Sequence, residues 1–327
     1  MNLSSHPLVI IIFSVVVLVM LLLDLGVFNR KSHAITNKEA VIWSIVWISL
    51  SMLFSVFVFT QTNMEKFAQF QSAYWIEKAL SVDNLFVFIL VFGYFNVPKE
   101  VQHKVLFWGI IGALLMRALF IFSGVELINL TYLPDFELYG KVLKINVLLL
   151  VFGLFLIYAG IKSAFVNDDD DDEKDFNKSP GAKLVHRFFK VSDNFDGDRF
   201  FTIKNGIKLA TPLLVVVGVI EFTDLLFAVD SIPAIFAVAP DDPLILYTSN
   251  IFAILGLRSL YFLLANFIHM FSKLKYGLAV ILSFIGAKMV IAPIIHIDSL
   301  ISLSIVFGVL VLALIWSVLT SEKETAS

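Results

Sequence analysis

The chain has 327 residues, of which 59% are hydrophobic and only 16% charged, and its mean hydropathy is +0.89. Soluble domains carry about 25% charged and about 45–50% apolar residues, so the composition excludes a water-soluble globule and points to a polytopic membrane protein. The net charge of −3 says little about partners, and no nucleic-acid partner is expected; with no cysteine, disulfides, thiolate metal sites and cysteine nucleophiles are excluded.

Nine stretches have the length of about 20 residues that a helix needs to cross the bilayer. The first, roughly 7–27, has no positive residue before it and no small-residue cleavage site after it, so it reads as a retained helix rather than a cleaved signal peptide. Asp24 closes it, as a cap, an interfacial ion pair or an ion-entry residue. The second is 40–60. The third, 72–95, has acids in its middle: Glu77-Lys-Ala-Leu-Ser-Val-Asp83-Asn84. The fourth, 104–124, carries Arg117, and the fifth is 144–162.

A hydrophilic segment follows at 163–208. It opens with the acidic run Asp168–Asp172 and Glu173, which reads as a solvated linker. Near its end, Asn205-Gly206 between apolar residues is a hairpin signal. The sixth span, 209–237, contains the second acidic string, Glu221-Phe-Thr-Asp224-Leu-Leu-Phe-Ala-Val-Asp230-Ser231. The seventh, 245–268, holds Asn250 and Arg258; the eighth, 276–293, holds Lys288; the ninth is 299–319. The expected organisation is therefore an all-α membrane protein. Residues 1–162 supply helices one to five, 163–208 a cytoplasmic loop, 209–320 helices six to nine, and 321–327 a cytoplasmic tail.

Loop charge sets the orientation. Of the 24 Lys and Arg, 17 fall at the loops after the odd-numbered spans and in the C-terminal tail, 3 on the other side, and Lys78, Arg117, Arg258 and Lys288 inside spans. The positive-inside rule then puts the N-terminus outside and the C-terminus in the cytoplasm. Spans three and six enter from opposite sides, so their acidic strings run antiparallel, as in inverted-topology repeats that hold substrate near the midplane.

Ionised carboxylates at bilayer centre cost roughly 2.5–3.5 kcal/mol each on insertion scales, and a bound cation is an economical way to offset that. The candidate ligands are Glu77, Asp83, Glu221, Asp224 and Asp230, with Asn84, Ser81, Ser231, Asn250 and Asp24 as secondary groups. Arg117, Arg258 and Lys288 are candidate counter-ions; Lys78 can snorkel to the interface. An all-oxygen set suits hard cations such as Mg²⁺, Ca²⁺ and Mn²⁺. Pro233 cannot donate to the carbonyl of Val229, so a kink near Asp230 is expected. The strings of aspartyl intramembrane proteases, zincins and serine hydrolases are absent, so no enzyme is expected.

At these residues the chain resembles the TerC/Alx family of integral membrane proteins, within the LysE-like exporter superfamily. The matching strings are Glu77 to Asn84, Glu221 to Phe236, Thr248 to Arg258, Lys275 to Leu282, and the segment from Asp24 to Arg30. The resemblance implies a plasma-membrane secondary transporter exporting Mn²⁺ from the cytoplasm, with Glu77, Asp83, Glu221, Asp224 and Asp230 as the metal-site acids. Proton coupling is an added expectation, because several acids share one site. The alternative is an accessory protein that supplies manganese to a secretion-channel partner without transporting it.

Overall fold

In a computed structural model of the protein, residues 7–28, 36–134, 136–138, 141–165, 175–204, 206–267, 274–295 and 297–325 are described. Among these, the side chains of residues 23–28, 83, 136–138, 141–143, 229–230, 266–267 and 321–325 lie outside the description, as does the whole acidic run at 168–172.

The elements follow the apolar stretches. They are α1 (Pro7–Phe28), α2 (Asn37–Gln61), α3 (Met64–Tyr94), α4 (Lys99–Leu130), β1 (Phe136–Leu138), β2 (Lys141–Leu143), α5 (Val147–Phe165), α6 (Pro180–Phe188), β3 (Phe201–Lys204), β4 (Ile207–Ala210), α7 (Pro212–Phe236), α8 (Pro243–Leu255), α9 (Leu257–Phe267), α10 (Leu274–Ile291) and α11 (Ser299–Thr325). Each of the nine predicted spans falls mainly on helix among the described residues. Seven of the described helical stretches are long and apolar enough to cross a membrane. The 31-residue α3 is not among them because Glu65, Lys66, Glu77, Lys78 and Asp83 are spread along it. The outer faces are apolar, with Leu53, Leu115 and Leu312 exposed, while serines such as Ser51, Ser55 and Ser317 are buried. This is the distribution expected where lipid is the solvent.

One feature refines the sequence reading. The seventh span is interrupted at Gly256 into α8 and α9, although the stretch as a whole stays long and apolar enough to cross a membrane. The helix α7 runs through Asp230 to Phe236 with Pro233 inside it. The chain also has a little sheet: β1 pairs with β2 after α4, and β3 pairs antiparallel with β4; of the predicted turn, Gly206 takes a φ of 77° and Asn205 lies outside the described residues. From Asp175 onward the loop is folded, with a 3₁₀ turn, α6 and the hairpin.

Close approaches give the helix directions. On α4 and α7, Gly109 sits against Ile220, Gly112 against Glu221 and Gly124 against Phe236, so the numbers rise together and the helices are parallel. On α3 and α8–α9, Glu77 meets Asn250 and Phe92 meets Tyr261, again in rising order. A short turn at Phe95–Pro98 makes α3 and α4 antiparallel, so α3 and α7 run in opposite senses. The tightest seam joins α5 to α10, where a Cβ on Gly153 would lie 2.9 Å from the Gly286 carbonyl oxygen. Small residues there let backbones touch, which is how helices gain contact where water cannot drive them together.

Candidate functional site

Glu77 is at the middle of α3 and is 0% exposed. Three neighbours hold its carboxylate. Arg117 of α4 pairs with Oε1 through Nη1 at 2.6 Å. Ser81 Oγ, one turn on in α3, donates to the same oxygen at 3.0 Å. Asn250 Nδ2 of α8 donates to Oε2 at 3.0 Å. The Asn250 amide oxygen in turn accepts from Arg117 Nη1 at 2.7 Å. Asn250 therefore touches both charged partners and fixes how they meet.

Asp224 of α7 approaches the same guanidinium from the other side, with Oδ1 3.9 Å from Nη2. That is too long for a hydrogen bond and is an electrostatic contact only. Arg117 Nη2 and Nε have no hydrogen-bond acceptor among the described residues. Asp224 also lines a small cavity of about 20 Å³, bounded by Leu85 and Phe88 of α3, Gly109 and Ala113 of α4, and Leu257 and Arg258 of α9. This is room for about one water-sized group. Two carboxylates from oppositely directed helices thus share one buried cation beside a small void.

The other predicted ligands are placed as follows. Asp83 and Asp230 lie on the helical backbones of α3 and α7, but their side chains are outside the described residues, as is that of Asp24. Asn84 and Ser231 are buried, and Ser231 Oγ has no hydrogen-bond partner among the described residues. Glu221 does not join the cluster. It is half-buried and its carboxylate fills the space beside Gly112, at a largely apolar groove of about 360 Å³ that includes Trp108, Leu115 and Phe200. Three residues along a helix leave a rotation of about 60°, enough to send Asp224 towards α3 and Glu221 to the outer side of α4.

The candidate counter-ions divide. Arg117 is the shared cation, and Arg258 is buried on the cavity wall. Lys288 is elsewhere: its Nζ donates to Ser302 Oγ at 2.8 Å and ties α10 to α11. Lys78 does not snorkel. It is buried, its Nζ donates to the Ala253 carbonyl at 3.3 Å, and it lies against Gly256. Ala253 is in the last turn of α8, where carbonyls lose their helical donors and a cation is favoured by the helix dipole. The lysine therefore closes the end of the broken helix. Nothing in the sequence marks this role, because the break has no proline.

The family model described as "Integral membrane protein TerC family" matches residues 62–325. The chain belongs to the TerC family. Curated relatives include "Uncharacterized membrane protein STKORF319" of Myxococcus xanthus, 44% identical over 96% of this chain and 93% of the relative. Another is the Escherichia coli K12 protein named "Putative membrane-bound redox modulator Alx", 43% identical over 96% of this chain and 95% of the relative. A Rickettsia bellii "Uncharacterized membrane protein" is 38% identical over 94% and 96%. No solved structure matches the chain. The TerC match begins just before α3 and covers every group of the Glu77–Arg117–Asp224–Asn250 cluster.

Proposed function

We propose that this TerC-family protein is a secondary transporter that exports Mn²⁺ from the cytoplasm through the carboxylates shared by α3 and α7. One observation carries the proposal: Glu77 and Asp224, on antiparallel helices, converge on a single buried positive group. A buried pair of acids around one cation is the charge arrangement that a transported metal could take over. With Mn²⁺ in the site, Glu77, Asp224 and the Asn250 amide oxygen supply hard oxygen donors, and Arg117 must withdraw because a divalent ion and a guanidinium repel. When the ion leaves, Arg117 returns or the acids take up protons. The break at Gly256 puts a discontinuous helix beside the acids, as in transporters whose sites are formed by broken helices. The basic loops support an N-terminus outside and a C-terminus in the cytoplasm.

The redox designation of the Alx relatives does not extend to thiol chemistry here, because the chain has no cysteine. The test is Mn²⁺ uptake into inside-out vesicles. Wild type should accumulate the ion, Asp230→Asn, Asp83→Asn and Asp224→Asn should lose nearly all flux while still inserting, and neutralising Asp168–Asp172 should change little. Flux unaffected by the three aspartate changes would refute the site. Inserted wild-type protein that binds Mn²⁺ without moving it would favour an accessory protein that hands the metal to a secretion partner.

A further inference from the structure

The loop between α5 and α7 folds onto the bundle in a way that transport does not account for. Ser179 accepts from the Ala182 amide and Pro180 takes the first helical position, so α6 starts at a defined point. Gly181 and Ala182 are buried, and a Cβ on Gly181 would collide with the Gly218 carbonyl of α7. Val185 packs on the same spot: its Cγ2 is 2.8 Å from where a Gly218 Cβ would sit. The two backbones touch about 9 Å inside the start of α7, six residues of helical rise. A helix held there lies at the membrane boundary rather than free in solution.

At about 100° per residue, positions 181, 182 and 185 form the face on α7. His186 falls on one flank and lines a cavity of about 510 Å³ with Tyr94, Asn177 and Asp193. Leu184 and Phe188 fall on the opposite flank, 58% and 69% exposed. Lys183 and Arg187 point away from α7. The apolar arc of α6 is thus wider than the face α7 covers. The hairpin continues the surface: Phe189 packs on the Phe201 ring at 5.4 Å, Lys208 lies over that ring, and Ile203 and Ile207 are exposed. From Pro180 to Lys190 there are three Lys or Arg and no acid, and Lys204 and Lys208 flank the hairpin turn.

We propose that α6 and the tip of the β3–β4 hairpin dock on anionic lipid headgroups of the membrane that α7 enters, burying Leu184 and Phe188 at the headgroup–acyl boundary. An amphipathic helix with basic residues beside exposed leucine and phenylalanine is the kind that lies in this interface, and each Lys or Arg near an anionic surface strengthens binding. A soluble partner is disfavoured because α6 packs on α7, a helix long and apolar enough to cross a membrane, which holds the exposed flank beside the bilayer.

The absence of cysteine makes the test direct. Single nitroxide labels are placed at Leu184→Cys, Phe188→Cys and Lys183→Cys of the full chain, reconstituted in phosphatidylcholine with or without phosphatidylglycerol. In the anionic vesicles, labels at 184 and 188 should collide several-fold more with oxygen than with a water-soluble nickel chelate, and the label at 183 should show the reverse. Combining either label with Arg187→Gln and Lys190→Gln should weaken docking by about fivefold per charge removed. Labels at 184 and 188 that favour the nickel chelate would overturn the proposal, since the flank would face water. Labels reached by neither reagent would overturn it in favour of a protein partner or second copy. Equal behaviour with and without phosphatidylglycerol would overturn the anionic part.

Discussion

Replacing Arg117 with glutamine isolates the charge that holds the cluster together. The guanidinium is 0% exposed and sits 2.6 Å from Glu77 and 3.9 Å from Asp224. Removing one partner of a buried pair costs about 3–5 kcal/mol, because the other charge stays buried and uncompensated. The Asp224 contact adds to this: two unit charges about 4 Å apart interact by about 4 kcal/mol at an effective dielectric constant near 20. These figures overlap, and Glu77 retains its bonds from Ser81 and Asn250, so a loss of about 3–5 kcal/mol is expected for Arg117→Gln. Glu77→Gln in the same chain should recover part of it, and adding Asp224→Asn should recover most of the rest. The assay is equilibrium unfolding of detergent-solubilised protein in sodium dodecyl sulfate mixtures, followed by the fluorescence of its five tryptophans. A cost for Arg117→Gln below about 1 kcal/mol, or a double variant no more stable than the single, would refute the shared-cation reasoning.

Three further outcomes follow from separate parts of the structure. Gly181→Leu should lift α6 from α7, because the new side chain meets the Gly218 backbone; an overpacking cost of about 1–3 kcal/mol is expected, seen as faster amide exchange at residues 181–188. Lys78→Met removes the donor to Ala253, worth about 1.5–3 kcal/mol for a charged hydrogen bond, so amide exchange at Leu257–Leu260 should accelerate about tenfold or more while α4 is unchanged. In the segment between α6 and β3, Asp198 accepts a hydrogen bond from the Lys104 ammonium at 2.9 Å, which holds its carboxyl below the ordinary carboxylate range. Because the folded value is depressed, the contribution is complete above the unfolded value of about 3.9 and is lost as pH falls through the folded one. With both groups partly exposed it is worth no more than about 1 kcal/mol. A carbon-detected titration should give Asp198 a midpoint below about 3.9 that rises to it in Lys104→Met.

The positions of the nine apolar stretches were legible because twenty consecutive apolar residues have few alternatives to a membrane helix. The acids at mid-span marked α3 and α7 as the helices to compare, and two of them, Glu77 and Asp224, approach the same guanidinium of Arg117. Finer features were not legible. Glu221 and Asp224 differ by only about 60° of rotation, yet that directs one into an apolar groove and the other to Arg117, and spacing cannot say on which side a neighbouring helix stands. The visible proline in α7 drew attention away from Gly256, against which Lys78 and Trp47 pack from distant sequence. The loop's fold was obscured by the acidic run before it: composition averaged over 163–208 reads as linker, whereas Ser179-Pro180 and the small residues Gly181 and Ala182 are local signals for a capped, docked helix.

Equilibrium binding of radioactive Mn²⁺ to purified protein in detergent tests the central claim most directly, because it separates the site from any vesicle or gradient. Wild type should bind the ion saturably, and Asp224→Asn and Glu77→Gln should each weaken binding by at least tenfold, with Lys288→Gln unchanged. Mn²⁺ bound equally well by wild type and by the Glu77→Gln/Asp224→Asn double variant would contradict the account.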